Sequence, residues 1–239
     1  MDAIQEQFAQ RLEERGISVS SMLDQFESYY RELVSWNEKM NLTGITDREQ
    51  VYTKHFYDSL SLAFFVDMTA IDRMADIGSG AGFPGIPLKI AFPHIQLTIV
   101  DSLSKRISFL QHVCDELKLE GVELIHGRAE DIARQAPHRD QYDLVTARAV
   151  ARMALLNEFC LPFVRKDGIF AAMKGSDPME EISESKFSLK ELRGQLEKVE
   201  SFSLPVEDSD RHIVIIRKTG ATPVKYPRKA GIPAKTPLL

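Results

Sequence analysis

The stretch from Arg73 to Pro84 constrains this chain more than any other. A short strand-forming run ends in Asp76-Ile77, and three alternate glycines, Gly78, Gly80 and Gly82, lead through Phe83 to Pro84. Glycine lets the backbone turn sharply and lets a ligand approach the main chain, because no Cβ stands in the way. Pro84 suits the first turn of a helix, where its missing N–H costs nothing. From this point apolar runs rich in β-formers, at 73–77, 96–100, 122–125, 142–146 and 168–173, alternate with helical patterns near 84–91, 104–117, 151–161 and briefly after Ala129. That alternation predicts βαβ units and a parallel sheet.

The first 70 residues have a different rhythm. Apolar residues recur at three- and four-residue steps over 5–14 and 22–39 (Leu23, Phe26, Tyr30, Leu33 and Val34 in the second run), and a third helix is expected over 49–65. Gly16 can end the first helix, and Ser20 or Ser21 can cap the second. Beyond the alternating region, 179–196 reads as helix and two strands follow near 199–204 and 212–217. Those strands succeed each other directly, so one is expected to run antiparallel. Seven strands, mostly parallel, behind an N-terminal helical module describe the class I S-adenosylmethionine-dependent methyltransferase (Rossmann-like) architecture. The expected organisation is a helical module over 1–70, the Rossmann-like domain over 71–218 and a basic, Pro-rich tail over 219–239. That tail is expected to be extended or disordered.

Bulk properties narrow the setting. No apolar run approaches the roughly 20 residues a membrane helix needs, and no basic segment followed by an apolar one opens the chain. A cytoplasmic protein is expected, without a membrane partner, and a monomer. Cys114 and Cys160 lack ligand spacing, so buried thiols are expected and no metal site. A net charge of -5 gives no global reason to bind nucleic acid. The tail differs, with Lys218, Lys225, Arg228, Lys229 and Lys235 and no acid from Lys218 onward.

Two cofactors compete for the glycine loop. Residues 80–85 spell GxGxxG, and Asp101 follows at the distance of a ribose-binding acid, as in a nicotinamide enzyme. Three features favour S-adenosylmethionine instead. Asp76 stands two residues before the first glycine, where it can orient the loop and meet the cofactor's ammonium. A helical module precedes the glycine strand, and no Tyr-x-x-x-Lys is present. Asp101, followed by Ser102, ends the second strand and can accept both ribose hydroxyls or cap the next helix. After the third strand, Ala129 and Glu130 lie where the adenine edge would be read, although Glu130 also suits a first helical turn. Phe83 is an apolar wall for the cofactor or packs on the sheet. Arg148 ends the fourth strand and faces the crevice beyond the strand carboxyl ends.

At this level of detail the chain resembles the bacterial small-subunit (16S) ribosomal RNA guanine-N7 methyltransferase family, also called glucose-inhibited division protein B. The resemblance rests on Trp36-Asn37, Asn41-Leu42-Thr43, His55-Phe56-Tyr57-Asp58-Ser59, the run from Asp76 to Pro87, Asp101-Ser102, Lys105-Arg106, Phe109-Leu110, Arg128-Ala129-Glu130 and Ala147-Arg148-Ala149. It implies cofactor contacts at Gly78, Phe83, Ala129, Glu130 and Arg148. It also implies a guanine of 16S rRNA as substrate, presented naked or in an assembling small ribosomal subunit. A small-molecule or protein methyltransferase and a non-catalytic RNA-binding assembly factor are the competing readings.

The residues agree with N7 chemistry by what they omit. There is no Asn/Asp-Pro-Pro-aromatic element for an exocyclic amine, and neither cysteine follows a proline as a pyrimidine-directed nucleophile would. Guanine N7 has an in-plane lone pair and needs only alignment, without a general base. Arg148 matches the guanine O6/N7 acceptor pair, or contacts the cofactor. RNA contacts are expected from Lys54, His55, Lys105, Arg106, Arg128 and the tail residues Lys225, Arg228 and Lys229. His55 is alternatively a core histidine bonded to Asp58.

Overall fold

The computed structural model describes residues 1–206 and 209–239. Its centre is a seven-stranded sheet in the order β3-β2-β1-β4-β5-β7-β6. The strands are β1 (Arg73–Ile77), β2 (Gln96–Asp101), β3 (Val122–His126), β4 (Tyr142–Arg148), β5 (Val164–Lys174), β6 (Gly194–Ser203) and β7 (Asp210–Lys218). The first five pair in parallel, while β7 runs antiparallel to both β5 and β6. This is the doubly wound, Rossmann-like arrangement of class I methyltransferases, with the single reversed strand the sequence predicts.

The order of strands fixes where a ligand can sit. The chain moves outward from β1 to β2 and β3, then returns to place β4 against the other side of β1. At such a reversal the loops after the two central strands diverge to opposite faces and leave a crevice between them. Asp76 is in register with Thr146, so Gly78 and Arg148, each two residues further on, stand at the neighbouring carboxyl ends.

Helices cover both faces. α1 (Ala3–Glu13) starts at a capping box in which the Asp2 carboxylate accepts from the N–H groups of Ile4 and Gln5. Gly16 follows its end in the left-handed region (φ 79°). α2 (Leu23–Met40) places Leu23, Phe26, Tyr29 and Leu33 inward, an amphipathic stripe in which Tyr29 takes the place expected for Tyr30, while Tyr30 and Val34 are only half-buried. Neither Ser20 nor Ser21 caps it: both lie in a 3₁₀ turn (Ser20–Met22) that leads directly into α2. The third expected helix is one continuous rod with three geometries: α3 (Arg48–Val51), a π-helical turn (Tyr52–Tyr57), α4 (Asp58–Leu60) and a 3₁₀ turn (Ser61–Phe64). Between the strands lie α5 (Gly85–Ala91), α6 (Ser104–Glu116), α7 (Ala129–Ile132), α8 (Met153–Cys160), α9 (Met179–Glu184) and α10 (Lys186–Glu191). Residues 194–196, expected as the end of a helix, open β6 instead, because Gly194 and Leu196 pair with Lys218 and Ile216.

One core unites the N-terminal helices with one face of the sheet, with Phe8, Phe26, Tyr29 and Phe56 packed alongside Phe83, Ile86 and Leu110. The aromatic rings interlock at centroid distances near 5 Å, for example Phe8–Phe26 at 5.1 Å and Phe26–Phe56 at 5.2 Å. Cys114 and Cys160 are free and buried, and burial pushes the Cys114 thiol up to about 12. No helix is long and apolar enough to cross a membrane among the described residues.

The C-terminal segment departs from its expected extended or disordered state. It lies against the domain and ends in α11 (Ile232–Lys235), with Tyr226, Pro233 and Leu238 buried. Polar anchoring explains why a proline-rich segment without periodicity holds one path. Arg139 donates to the carbonyls of Thr222, Pro223 and Tyr226, and Arg134 donates to that of Pro227. Lys218 at the end of β7 is wholly buried, yet its ammonium donates to Asp140, Thr222 and the carbonyls of Leu161 and Val164. A buried cation is tolerated when paired and hydrogen-bonded in this way.

Candidate functional site

The glycine loop leaves β1 through backbone conformations that side chains resist: Gly78, Gly80 and Gly82 all have positive φ, at 73°, 65° and 100°. Gly82 shows most clearly why. A Cβ there would come within 2.5 Å of the Tyr29 hydroxyl and 2.8 Å of Ile86 and Leu110 side-chain atoms. The Tyr29 hydroxyl itself donates to the Ala81 carbonyl, so α2 of the helical module braces the loop from behind.

Asp76 organises the loop from within. It is fully buried; Oδ2 accepts from the Ser79 hydroxyl (2.6 Å) and the Gly85 N–H (2.8 Å), while Oδ1 has no hydrogen-bond partner. Burial pushes its carboxyl up to about 6. The loop-orienting role read from sequence is thus what the geometry displays. The carboxylate faces the loop interior, and contact with a ligand ammonium would require the buried Oδ1.

Asp101 closes the other side of the loop. Its Oδ2 accepts from Gly80 N–H at 3.0 Å and lies 3.3 Å from Arg106, and its Oδ1 accepts from Leu103 N–H at 2.9 Å. Asp101 therefore connects the glycine loop to the turn that starts α6. Beyond it a cavity of about 160 Å³ opens at the strand ends, lined by Gly78, Ser102, Ala129, Glu130, Val150 and Phe159 among others. Gly78, Ser102, Ala129 and Glu130 are four of the residues predicted to hold the cofactor, brought together from three different loops. Glu130 is 1% exposed and accepts from Gly231 N–H through Oε1.

A second and larger cleft, about 520 Å³, lies on the other side of the segment 148–150. Val150 lines the smaller cavity and Ala149 the larger, with Ala149 held at φ 57°. The larger cleft is rich in basic side chains: Lys54, Arg148, Lys174 and Arg211 contribute to its wall, with Asp58 as the acid among its described lining residues, and Lys174 is paired with Glu181. Arg148 Nη1 donates to Asp58 Oδ2 at 2.6 Å and to the Lys54 carbonyl at 3.2 Å, and its guanidinium lies 5.1 Å from the Phe83 ring centroid. Arg211 Nε stands 3.2 Å from Asp58 Oδ1, within ion-pair distance, but its angle is not that of a hydrogen bond.

His55 lies beneath this group and is not bonded to Asp58. Its ring stacks on Phe83 (4.5 Å, 19°), and Nε2 is 2.9 Å from the Thr43 hydroxyl. Burial, reinforced by the nearby Arg148 charge, holds its pKa down to about 3. A neutral imidazole packed face to face with a phenyl ring is a structural part of the cleft floor, not a phosphate-binding cation. Phe83 packs in the core and presents its face to Arg148 and His55, and it does not line the smaller cavity.

The other predicted RNA contacts are dispersed. Lys54 borders the large cleft. Lys105 is exposed and reaches the Met40 carbonyl at 3.3 Å, and exposed Arg128 lies 3.6 Å from Glu130. Lys225 pairs with Glu191, and Arg228 is taken up by buried Glu158, whereas Lys229 is exposed. Four residues of the site were not singled out in the sequence for these positions. Arg211 and Lys174 sit in strands without a distinguishing motif. Asp58 stood within the family segment but not as the partner of Arg148, and Tyr29 was passed over because the apolar steps of its helix point to Tyr30 instead. The π-helical turn was the missing signal, since it sets which face of 52–60 meets β4. Among the described residues no cluster of three or more potential metal ligands occurs.

The family model of GidB, rRNA small subunit methyltransferase G, matches residues 22–214, which include both cavities. The chain belongs to that family. The Ribosomal RNA small subunit methyltransferase G of Halalkalibacterium halodurans is 57% identical over 233 residues, covering 97% of this chain and 98% of the relative. The corresponding protein of Bacillus subtilis is 51% identical over 234 residues, with 98% of each covered. Solved structures show the fold at much greater distance. TYW2 of M. jannaschii in complex with AdoMet has a TM-score of 0.51 at 16% identity, over 68% of this chain and 67% of that one. TrmN from Thermus thermophilus also reaches 0.51, at 13% identity, over 68% of this chain and 47% of that one. The N-terminal helices and the cationic cleft they wall are therefore characterised by the family match, and the sheet by both comparisons.

Proposed function

We propose that this chain transfers the methyl group of S-adenosylmethionine to N7 of a guanine in 16S rRNA, with the nucleoside cofactor in the smaller cavity and the target base in the cationic cleft. The observation that carries this reading is the arrangement of the two spaces on either side of 148–150 at the sheet's reversal point. Family membership supplies the reaction class.

The residues present fit the cofactor. Gly80 leaves open space where a Cβ would project, and Gly78, Ser102, Ala129 and Glu130 converge on the cavity next to it. Asp101 holds the Gly80 N–H at the mouth of the loop, where both hydroxyls of a ribose would donate to the same carboxylate. Glu130 is the only acid on the cavity wall among the described residues, and a carboxylate suits an exocyclic amine donor. When bound, S-adenosylmethionine supplies an electrophilic methyl group on a sulfonium centre.

The chain's own work is then alignment and charge. Arg148 is fixed by Asp58, by a backbone carbonyl and by the Phe83 face, so its donors are preset before any base arrives. Preorganised donors aimed at guanine O6 hold N7 in line without side-chain rearrangement. No proton leaves N7 on methylation, so the neutral His55 and the buried Asp76 are not required as bases. Lys54 and Arg211 on the cleft wall would meet flanking phosphates, while the Lys174 ammonium is already paired with Glu181. The substrate is expected to be 16S rRNA, naked or assembling, met by a cytoplasmic monomer. Mapping N7-methylguanine in 16S rRNA from cells with and without the gene tests the reading: an unchanged map would defeat it.

A further inference from the structure

The C-terminal segment reaches the smaller cavity. Gly231, in the left-handed region at φ 85°, donates its N–H to Glu130 Oε1 at 3.0 Å. Oε2 of the same carboxylate has no hydrogen-bond partner among the described residues. Three residues earlier Arg228 is bound by Glu158 through Nε, Nη2 and its backbone N–H, at 2.6 to 3.2 Å. Glu158 is 1% exposed and sits on α8, next to Phe159 of the cavity wall. The segment is thus clamped at one wall of the cavity and bonded to the acid of another.

We infer that residues 228–231 position Glu130 for cofactor recognition, by engaging one carboxylate oxygen and leaving the other for the exocyclic amine of the adenine. This rests on the smaller cavity being the S-adenosylmethionine site. The physical ground is that a carboxylate free to rotate offers its acceptors in many directions, whereas one held by a fixed donor offers the remaining lone pairs in few. The N–H that holds it comes from the main chain of a segment clamped by a charge-assisted, bidentate pair. Arg228 and Gly231 are positioning residues, acting through Glu130.

The test compares S-adenosylhomocysteine with S-inosylhomocysteine, which carries a carbonyl oxygen in place of the adenine amine. Titration calorimetry is done on the full chain, on a chain ending at Ala230, on Gly231→Ala and on Glu130→Gln. The full chain is expected to prefer the adenosyl compound by tenfold or more. Ending at Ala230 keeps Arg228 but removes the Gly231 donor. It should lower adenosyl affinity about five- to tenfold, leave inosyl affinity within twofold, and bring the preference near that of Glu130→Gln. In turnover the KM for S-adenosylmethionine should rise more than kcat falls. Equal weakening of both nucleosides, or no weakening, overturns the proposal, since a segment that merely stabilises the fold would not distinguish them. If the shortened chain does not fold, Gly231→Ala decides. Its methyl meets no atom within 4 Å, but φ 85° is strained for alanine, so an unaltered preference there overturns the proposal too. A full chain that binds neither nucleoside would refute the cofactor-site reading itself.

Discussion

His55 and Asp76 give the protein opposite responses to acid, and replacing one of them should expose the other. His55 is held to about 3 in the folded chain, against an ordinary value of 6.5, so it stays neutral when folded and takes a proton when unfolded. Its contribution to stability is therefore lost as pH falls through 6.5. Between pH 7 and pH 5 that loss is about 2 kcal/mol by proton linkage. Asp76 runs the other way. Its folded value of about 6 exceeds the ordinary 3.8, so it favours the folded state at low pH and withdraws that support as pH rises through 6. Over the same interval, acidification gains about 1 kcal/mol from it. The two partly offset each other in the natural chain. In His55→Gln the histidine liability is absent, so its stability relative to the natural chain should improve by about 2 kcal/mol on going from pH 7 to pH 5. Urea unfolding at pH 7, 6 and 5, followed by circular dichroism, measures this. Parallel pH profiles for the two proteins would refute the assignment of a neutral, desolvated imidazole beneath Arg148.

Arg148→Ala should reduce single-turnover methylation by orders of magnitude while circular dichroism shows the fold retained; a folded variant methylating at the natural rate would remove Arg148 from the mechanism. Gly82→Ala places a methyl against Tyr29, Ile86 and Leu110 at φ 100°, and should destabilise by about 3 kcal/mol through overpacking and backbone strain, read as a lowered urea midpoint. Tyr29→Phe keeps the packing but deletes the hydrogen bond to Ala81, a loss of about 1 kcal/mol, with weaker S-adenosylhomocysteine binding as the loop loses its brace. Substituting Lys54 and Arg211 on the cleft wall together should weaken rRNA binding and flatten its salt dependence, whereas Lys225→Ala, outside that cleft and paired with Glu191, should leave that slope unchanged.

The readable parts of this sequence were those in which a residue type has one physical use. Alternate glycines after a strand admit few conformations, and Gly78, Gly80 and Gly82 are all left-handed. The change from helical to alternating rhythm at residue 72 located the sheet, and two strands in immediate succession gave away the reversed β7. What could not be read depended on contacts between distant segments. Arg228 looked like part of a solvated basic strip because its partner, Glu158, is 70 residues away and buried in a helix. Ser20 and Ser21 looked like caps because local pattern carries no information about a 3₁₀ turn that makes a cap unnecessary. His55 sits three residues before Asp58, a spacing that brings side chains together on an α-helix, but the π-helical turn over Tyr52–Tyr57 rotates the ring onto Phe83 and frees Asp58 for Arg148.

That rotation also ties the helical module to the strand-end side chains on which the proposed chemistry depends. A bare Rossmann-like domain would present Arg148 at the end of β4 with no fixed direction for a long, flexible side chain. Asp58 and the Lys54 carbonyl, both from the module, hold its Nη1, and Phe83 supports its face from the glycine loop. Tyr29 of α2 then ties the same module to Ala81. One set of N-terminal helices therefore fixes both the loop beside the smaller cavity and the cation of the larger cleft. In the proposed reaction, where alignment of donor methyl and acceptor nitrogen is required and no proton is transferred, loosening that shared support is expected to lower the rate.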